Sequence, residues 1–313
     1  MRAFGWSEAV DALEFSSLIE ALRHAFRSAD TTAPPPHRYT IPAPPDLTGT
    51  LQISPAWRIG DRFGVKITAA FDTASGELGG EGAYVLMDAR TGKSLAVFDA
   101  AALTARCTAA ASALAASYLA RPDCERLLLV GSGLLASHLL AAHASVRPIR
   151  NVLVWDRDTD KAERLAHRLT RRTLKVAATD DLQRAVNGAH IVCCIAAEPE
   201  PILNGHWLPL GVHLDLVGGA TPALRQADDE TLHRARVFVD TRAAALAETG
   251  DLAQPIRAGA FNPDDVAGDL FDLTRGTRAG RRFHDQITLF KSVGHALEDL
   301  AAAKQGFENA LAP

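Results

Sequence analysis

Cysteine is scarce in this sequence. Its 313 residues include four, Cys107, Cys124, Cys193 and Cys194, with no CxxC pair and no histidines at zinc-ligand spacing. A disulfide framework and a metal site are therefore not expected, and a reduced cytoplasm suits the chain best. Long apolar runs are missing too. The longest uncharged one, Cys107 to Ala120 between Arg106 and Arg121, is shorter than the roughly 20 residues a membrane helix needs. No membrane partner is expected, and the stretch reads as a buried helix. The opening Met1-Arg2-Ala3-Phe4-Gly5-Trp6-Ser7-Glu8 has neither the apolar run nor the small-residue cleavage site of an export signal. Basic stripes are absent as well. Arg171-Arg172 and Arg281-Arg282 are isolated pairs in a chain of net charge −4, which argues against nucleic acid as a partner. Aromatics make up only 6% of a chain that is 47% hydrophobic, so Ala, Leu and Val must fill the interior.

The length exceeds what one core usually supports, so two domains, or one inserted into another, are expected. Leu18, Ile19, Leu22 and Phe26 recur at helical spacing over residues 17 to 27, and the proline-rich Ala33 to Pro45 ends that helix and reads as a loop. Short β-type runs follow: Gly64 to Thr68, Tyr84 to Met87 and Ser94 to Phe98, the last two joined as a hairpin by Asp88 to Gly92. The pattern then changes. Strand-like runs Arg126 to Val130, Asn151 to Trp155, Leu174 to Ala177 and Ile191 to Ile195 alternate with helices from Leu134, Thr159 and Asp181, as in parallel βαβ units. Val212 to Val217 and Arg236 to Val239 extend the same sheet, and Phe290 to Ala310 repeats with helical period.

Chemistry is most legible at Gly131-Ser132-Gly133-Leu134-Leu135-Ala136, directly after an apolar strand and before a helix. Gly131 permits the tight turn, Gly133 lets backbone approach a pyrophosphate, and Ala136 lets helix and strand pack closely. Phosphates would sit on free amides at the helix N-terminus, where the macrodipole favours negative charge. Asp156 ends the next strand, about 20 to 25 residues on, where a carboxylate accepts from an adenosine ribose and repels a 2′-phosphate. Arg157 pulls the other way, since it can pair with that phosphate or stack on adenine. The pattern points to NAD(H) or NADP(H), with a slight preference for NAD(H). A glycine-rich turn that binds another nucleotide, or nothing, is the alternative.

Several segments together resemble the ornithine cyclodeaminase and mu-crystallin family. They include Gly64-Val65-Lys66-Ile67, Leu103-Thr104-Ala105 leading to Thr108-Ala109-Ala110, Val217-Gly218-Gly219, Glu248-Thr249-Gly250-Asp251-Leu252, and Thr288 through Asp299. The resemblance implies an α/β protein in which a Rossmann-type parallel-sheet domain, 116–287, is inserted into an α+β dimerisation and substrate domain, 1–115 with 288–313. It implies a homodimer, hydride transfer between nicotinamide and the carbon of an amine or imine, and a small imine or amino-acid substrate. It places Lys66 at the substrate, where burial would lower the lysine pKa toward the acid–base range. By alternation alone, a strand lysine between Val65 and Ile67 would face solvent. Arg38 resembles an arginine that holds a carboxylate, although a loop arginine at the surface is an equal reading. Ser292 and Gly294 would open the last helix near the nicotinamide.

Two positions depart from the family pattern. Cys107 stands where relatives carry a substrate-binding arginine. Arg106, one residue early, is rotated by about 100° on a helix and does not simply replace it. Ala220 stands where cyclodeaminases place a catalytic aspartate. These departures favour an imine reductase or amino-acid dehydrogenase of the ketimine or pyrroline-carboxylate type. A non-catalytic NAD(P)H-binding crystallin-like protein, and an ornithine cyclodeaminase forming proline and ammonia, remain as alternatives. For Asp215, Asp228 and Asp229, strand or helix-cap roles are expected.

Overall fold

The computed structural model describes the chain apart from residues 29, 43–47, 73–77, 197, 220 and 312–313, and apart from the side chains of 42, 48, 72 and 78–80. The chain divides into two compact units, Met1–Cys107 with Gly294–Pro313, and Thr108–Val293.

The first unit opens with β1 (Arg2–Phe4), α1 (Trp6–Ala12) and α2 (Phe15–Arg27). There follow β2 (Thr31–Thr32), β3 (His37–Pro42), β4 (Thr48–Arg58), β5 (Arg62–Asp72), β6 (Leu78–Asp88) and β7 (Ser94–Asp99), and α3 (Ala100–Leu119) begins here. The sheet runs β1-β7-β6-β5-β4-β2, with β3 also pairing with β4. Helix α2 buries Phe15, Leu18, Ile19, Leu22 and Phe26, and Glu14 caps it by accepting from Ser16 N and Ser17 N. At the expected hairpin, Asp88 Oδ1 accepts from Arg90 N and Thr91 N. The loop expected over Ala33 to Pro45 is in part a strand. Pro34 to Pro36 favour extended backbone, and β3 then pairs with β4 in antiparallel register. Pro42 is tolerated at its end, outside the ladder interior.

Period two sorts this sheet into faces. Even-numbered Ser54, Ala56, Tyr84, Leu86, Ala96 and Phe98 are buried, whereas odd-numbered Tyr39, Trp57 and Ile67 are 55, 37 and 40% exposed.

The second unit alternates β8 (Arg126–Val130), α4 (Leu135–Val146), β9 (Asn151–Trp155), α5 (Thr159–Leu169), β10 (Lys175–Ala178), α6 (Leu182–Gly188) and β11 (Ile191–Cys194). It continues through β12 (His213–Leu216), α7 (Asp229–Arg234), β13 (Arg236–Val239), α8 (Arg242–Glu248), α9 (Gly250–Ala258), β14 (Gly268–Asp269), α10 (Leu270–Arg275) and β15 (Thr288–Lys291). The expected Rossmann-type sheet is present, wholly parallel, in the order β10-β9-β8-β11-β12-β15-β13-β14. Strands β11, β12 and β15 are buried at every position, as parallel strands covered on both faces must be. From β8 the chain builds outward to β9 and β10, then returns to β11 on the other side. That reversal makes the carboxyl ends of β8 and β11 the place where an open α/β sheet takes a ligand.

The final helix is shorter than its periodicity suggests. Phe290 and Lys291 lie in β15, between β12 and β13, and α11 (Ala296–Asn309) starts only after the His295 cap. The division between units therefore differs from the expected 1–115 with 288–313. Residues 288–293 join the second unit through β15, and 108–115 group with it as well. Among the described residues no helix is long and apolar enough to cross a membrane.

Candidate functional site

In the second unit, Gly131 adopts φ +106°, and a Cβ there would lie 2.9 Å from Ala196 N. The turn leaving β8 thus needs glycine for both conformation and space. Gly133 is different. A Cβ on it would meet no protein atom within 4 Å, so its backbone face is open. Helix α4 follows with Leu134 as N-cap and no side-chain cap, so no side chain competes with an anion at its N-terminus. Leu134 itself is 59% exposed, and Leu135 begins the helix.

Asp156 closes this loop. Its Oδ2 accepts from Ser132 N at 2.8 Å and Ser132 Oγ at 2.6 Å, and Oδ1 accepts from Asp158 N at 3.0 Å. Partial burial pushes the carboxyl up, but the hydrogen bonds from Ser132 and Asp158 outweigh it and hold the pKa below the usual aspartate value. Arg157 is exposed and lies 3.6 Å from Glu198. Further along the same edge, Ser292 is 2% exposed and its Oγ has no hydrogen-bond partner. It does not open a helix: Ser292 follows β15 directly, its N donates to Leu216 O, and Val293 N donates to Asp240 Oδ2. Gly294, at φ +84°, turns the chain toward α11. An open glycine face, uncapped amides, a charged carboxylate and an orphaned hydroxyl fit a dinucleotide carrying a pyrophosphate, a ribose and a carboxamide.

In the first unit, Lys66 faces inward, opposite to the alternation expected from its neighbours: Ile67 takes the exposed face. Its ammonium lies 2.9 Å from Asp299 Oδ2 and 3.0 Å from Oδ1, and 3.3 Å from Thr104 Oγ1. Burial pulls the lysine pKa down, yet the charge and hydrogen bond of Asp299 prevail and raise it above the ordinary value. The expected lowering is thereby corrected; Lys66 stays an ammonium at neutral pH. Across the register Ser54, Lys66 and Tyr84 stand side by side. Tyr84 is fully buried with an unpartnered hydroxyl, and a Cβ on Gly64 would run into that oxygen. The glycine two residues before Lys66 makes room for it.

Cys107 is buried, its thiol 3.6 Å from Glu298 O. Burial, then the charges of Asp299 and Glu298, push its pKa well up, so it is a neutral packing thiol. Arg106 is tied elsewhere: Nε and Nη2 donate to Leu13 O, and the guanidinium stacks 3.5 Å over Phe15. Burial lowers its pKa to about 10. Arg38 sits on β3, not in a loop, and donates to Gln52, which donates in turn to Ser54. That row lies on the same face as Lys66. Ala220 lies outside the described residues.

Asp299, Tyr84 and Thr104 are not singled out by any sequence pattern as site residues. The only signal was Glu298-Asp299 at the start of an apolar helix, where acids are ordinarily explained by the helix dipole. A buried group in the second unit is equally silent in sequence. The ligand atoms of His143, Cys193 and Asp215 lie within 4.8 Å of one another, and Asp215 accepts from Ser112 Oγ and pairs with His143 Nε2, each at 3.1 Å. Their separation in sequence hid them. Asp228 has the expected capping role, accepting from Thr231 N.

A Rossmann-type parallel sheet with a glycine-rich first turn, together with a mixed α+β unit carrying a buried lysine–aspartate pair, defines an α/β protein of the two-domain nucleotide-fold class. The chain belongs to the ornithine cyclodeaminase/mu-crystallin family, whose model matches residues 6–313. It is 37% identical over 303 residues to a delta(1)-pyrroline-2-carboxylate reductase of Paracoccus denitrificans, covering 95% of this chain and 93% of that protein. The structure of Thermococcus litoralis delta(1)-pyrroline-2-carboxylate reductase in complex with NADH and L-proline is similar at TM-score 0.91 and 28% identity, over 99% of this chain and 98% of that one. An archaeal alanine dehydrogenase dimer with bound NAD is similar at TM-score 0.89 and 25% identity, over 99% and 96%.

Proposed function

We propose that the protein is an NAD(H)-dependent reductase acting on the C=N bond of a small cyclic imino acid of the 1-pyrroline-2-carboxylate kind, as a homodimer in the cytoplasm. The observation that carries this reading is the full-length likeness to the reductase holding NADH and L-proline. The local geometry supports it. Gly133 and the first amides of α4 would take the pyrophosphate, and Asp156 the adenosine ribose. Its carboxylate, kept charged by Ser132 and Asp158, favours NAD(H) over a 2′-phosphorylated cofactor. Ser292 Oγ would receive a polar group at the other end.

Bound there, NADH supplies the hydride that reduces the imine carbon. The protein must then hold the substrate and see the nitrogen protonated. Lys66, a permanent ammonium at neutral pH, is suited to attract a carboxylate or donate a proton, directly or through water; it is not suited to be a base. Asp299 fixes its position. Arg38, on the same face, would complete carboxylate recognition, a task that neutral Cys107 cannot perform. Exposed Tyr39, Trp57 and Ile67 on the opposite sheet face support a second copy as partner, consistent with the dimeric relative.

The test is absorbance at 340 nm with purified protein. NADH should be consumed with 1-pyrroline-2-carboxylate or 1-piperideine-2-carboxylate, and faster than NADPH. No oxidation of either cofactor across those substrates and pyruvate with ammonia would contradict the proposal.

A further inference from the structure

Lys291 is fully buried at the end of β15, and the proposed chemistry gives it no task. It is nonetheless held on three sides: Nζ donates to Gly218 O and to Gln226 Oε1 at 3.2 Å, and pairs with the Asp251 carboxylate, whose Oδ2 lies 3.1 Å away. A buried cation is costly unless it is paired and hydrogen-bonded, so one held by two carbonyl oxygens and a carboxylate marks a place where geometry is fixed. The partners show what is fixed. Asp251 Oδ1 accepts from Gln226 N at 2.6 Å and Ala227 N at 3.2 Å. Gln226 Nε2 donates to Cys194 O at 2.6 Å and Ala196 O at 2.8 Å. A Cβ on Gly218 would run into Ile195 O, so the segments leaving β11 and β12 are pressed together at that point.

One ammonium therefore joins the carboxyl ends of β11, β12 and β15. These lie on one side of the reversal between β8 and β11. The other side, β8 with β9, carries Gly133 and Asp156, the features suited to the pyrophosphate and adenosine. A dinucleotide laid across such a crevice puts its two halves on opposite sides of the switch point. The β11–β12–β15 side is left for the nicotinamide.

Resting on the proposed NAD(H) reading, we infer that Lys291, with Asp251 and Gln226, is a positioning residue for the nicotinamide half of the cofactor. It touches neither cofactor nor substrate. It sets the backbone at Gly218 and Ala196 against which the ring must lie, and leaves the adenosine half untouched.

The experiment compares NADH with ADP-ribose, which lacks the nicotinamide, by titrating each into the full-length protein. Lys291→Met alone strands the Asp251 carboxylate and can unfold the chain, so the double variant Lys291→Met/Asp251→Asn, neutral at both positions, is measured beside it, with Lys291→Arg as the charge-conserving control. In the double variant, NADH affinity should fall about tenfold or more and kcat with it, while ADP-ribose affinity changes less than twofold. Lys291→Arg should recover part of the kcat. Equal weakening of both ligands would mean a merely structural ion pair, and no weakening of NADH would mean no positioning role; either overturns the inference. Failure of the unmodified protein to bind NADH would instead remove the cofactor reading itself.

Discussion

Lys66 and Asp299 form a two-oxygen contact, with the lysine nitrogen 2.9 Å from one carboxylate oxygen and 3.0 Å from the other. The aspartate is 5% exposed at its side chain and the lysine 16%. Removing the lysine alone leaves a buried carboxylate without a counter-charge. Lys66→Met should therefore cost about 3–5 kcal/mol of stability and abolish turnover, and Lys66→Met/Asp299→Asn should recover stability but not activity. Urea unfolding beside a kcat/KM assay separates the two effects. Full activity in Lys66→Met would refute the assignment.

The same pair sets a pH dependence. The folded lysine pKa lies above its unfolded value, so the stabilisation is complete below about 10.4, the unfolded lysine value, and is lost as pH rises through the folded one. Asp299→Asn removes the charge and the charged hydrogen bond that do most to raise the pKa and leaves the burial that lowers it. The alkaline limb of kcat/KM should then move to lower pH. An unmoved limb would show that another group governs it.

Gly131 and Gly133 should respond differently to substitution. Gly131→Ala forces a side chain into φ +106° and against Ala196 N, so thermal stability should drop. Gly133→Val finds no protein atom in its way and should leave the apoprotein within about 0.5 kcal/mol of the original, yet weaken NADH binding at least tenfold. A thermal melt without cofactor, followed by NADH titration, reads both. Undiminished NADH affinity in Gly133→Val would place the pyrophosphate elsewhere.

Asp156 predicts cofactor choice. Asp156→Ala removes the carboxylate while leaving Arg157 in place, so the ratio of NADPH to NADH efficiency should rise about tenfold, or ~1.4 kcal/mol. Initial rates with both cofactors measure it. A constant ratio would mean that discrimination lies with another residue.

The cysteines should be inert in the folded protein. All four are buried, and burial raises the pKa of each. Iodoacetamide at pH 8 should label none of them before unfolding. Rapid labelling of Cys107 would contradict its reading as a packing thiol.

Much of the second unit was legible because parallel strands covered on both faces leave continuous apolar runs, such as Arg126–Val130 and Ile191–Cys194, and because glycines punctuate the first turn. Phe290 and Lys291 misled for a related reason: an apolar strand followed closely by an apolar helix reads as one helical period. Lys66 misled because alternation gives two faces but not which is covered, and here α11 buries the even-numbered one. Asp299 lies 233 positions from Lys66, so their pairing exists only through tertiary packing. The same is true of Lys291 with Asp251, and of His143 with Asp215.

Hydride delivery from NADH to an imine carbon leaves an isotopic mark on the product. Incubating the protein with NADH deuterated at C4 and 1-pyrroline-2-carboxylate tests it most directly, with the product examined by mass spectrometry and NMR. Proline carrying one deuterium at Cα is expected when the transferred position is labelled. Absence of proline, or proline without the label from either deuterated epimer, would contradict it.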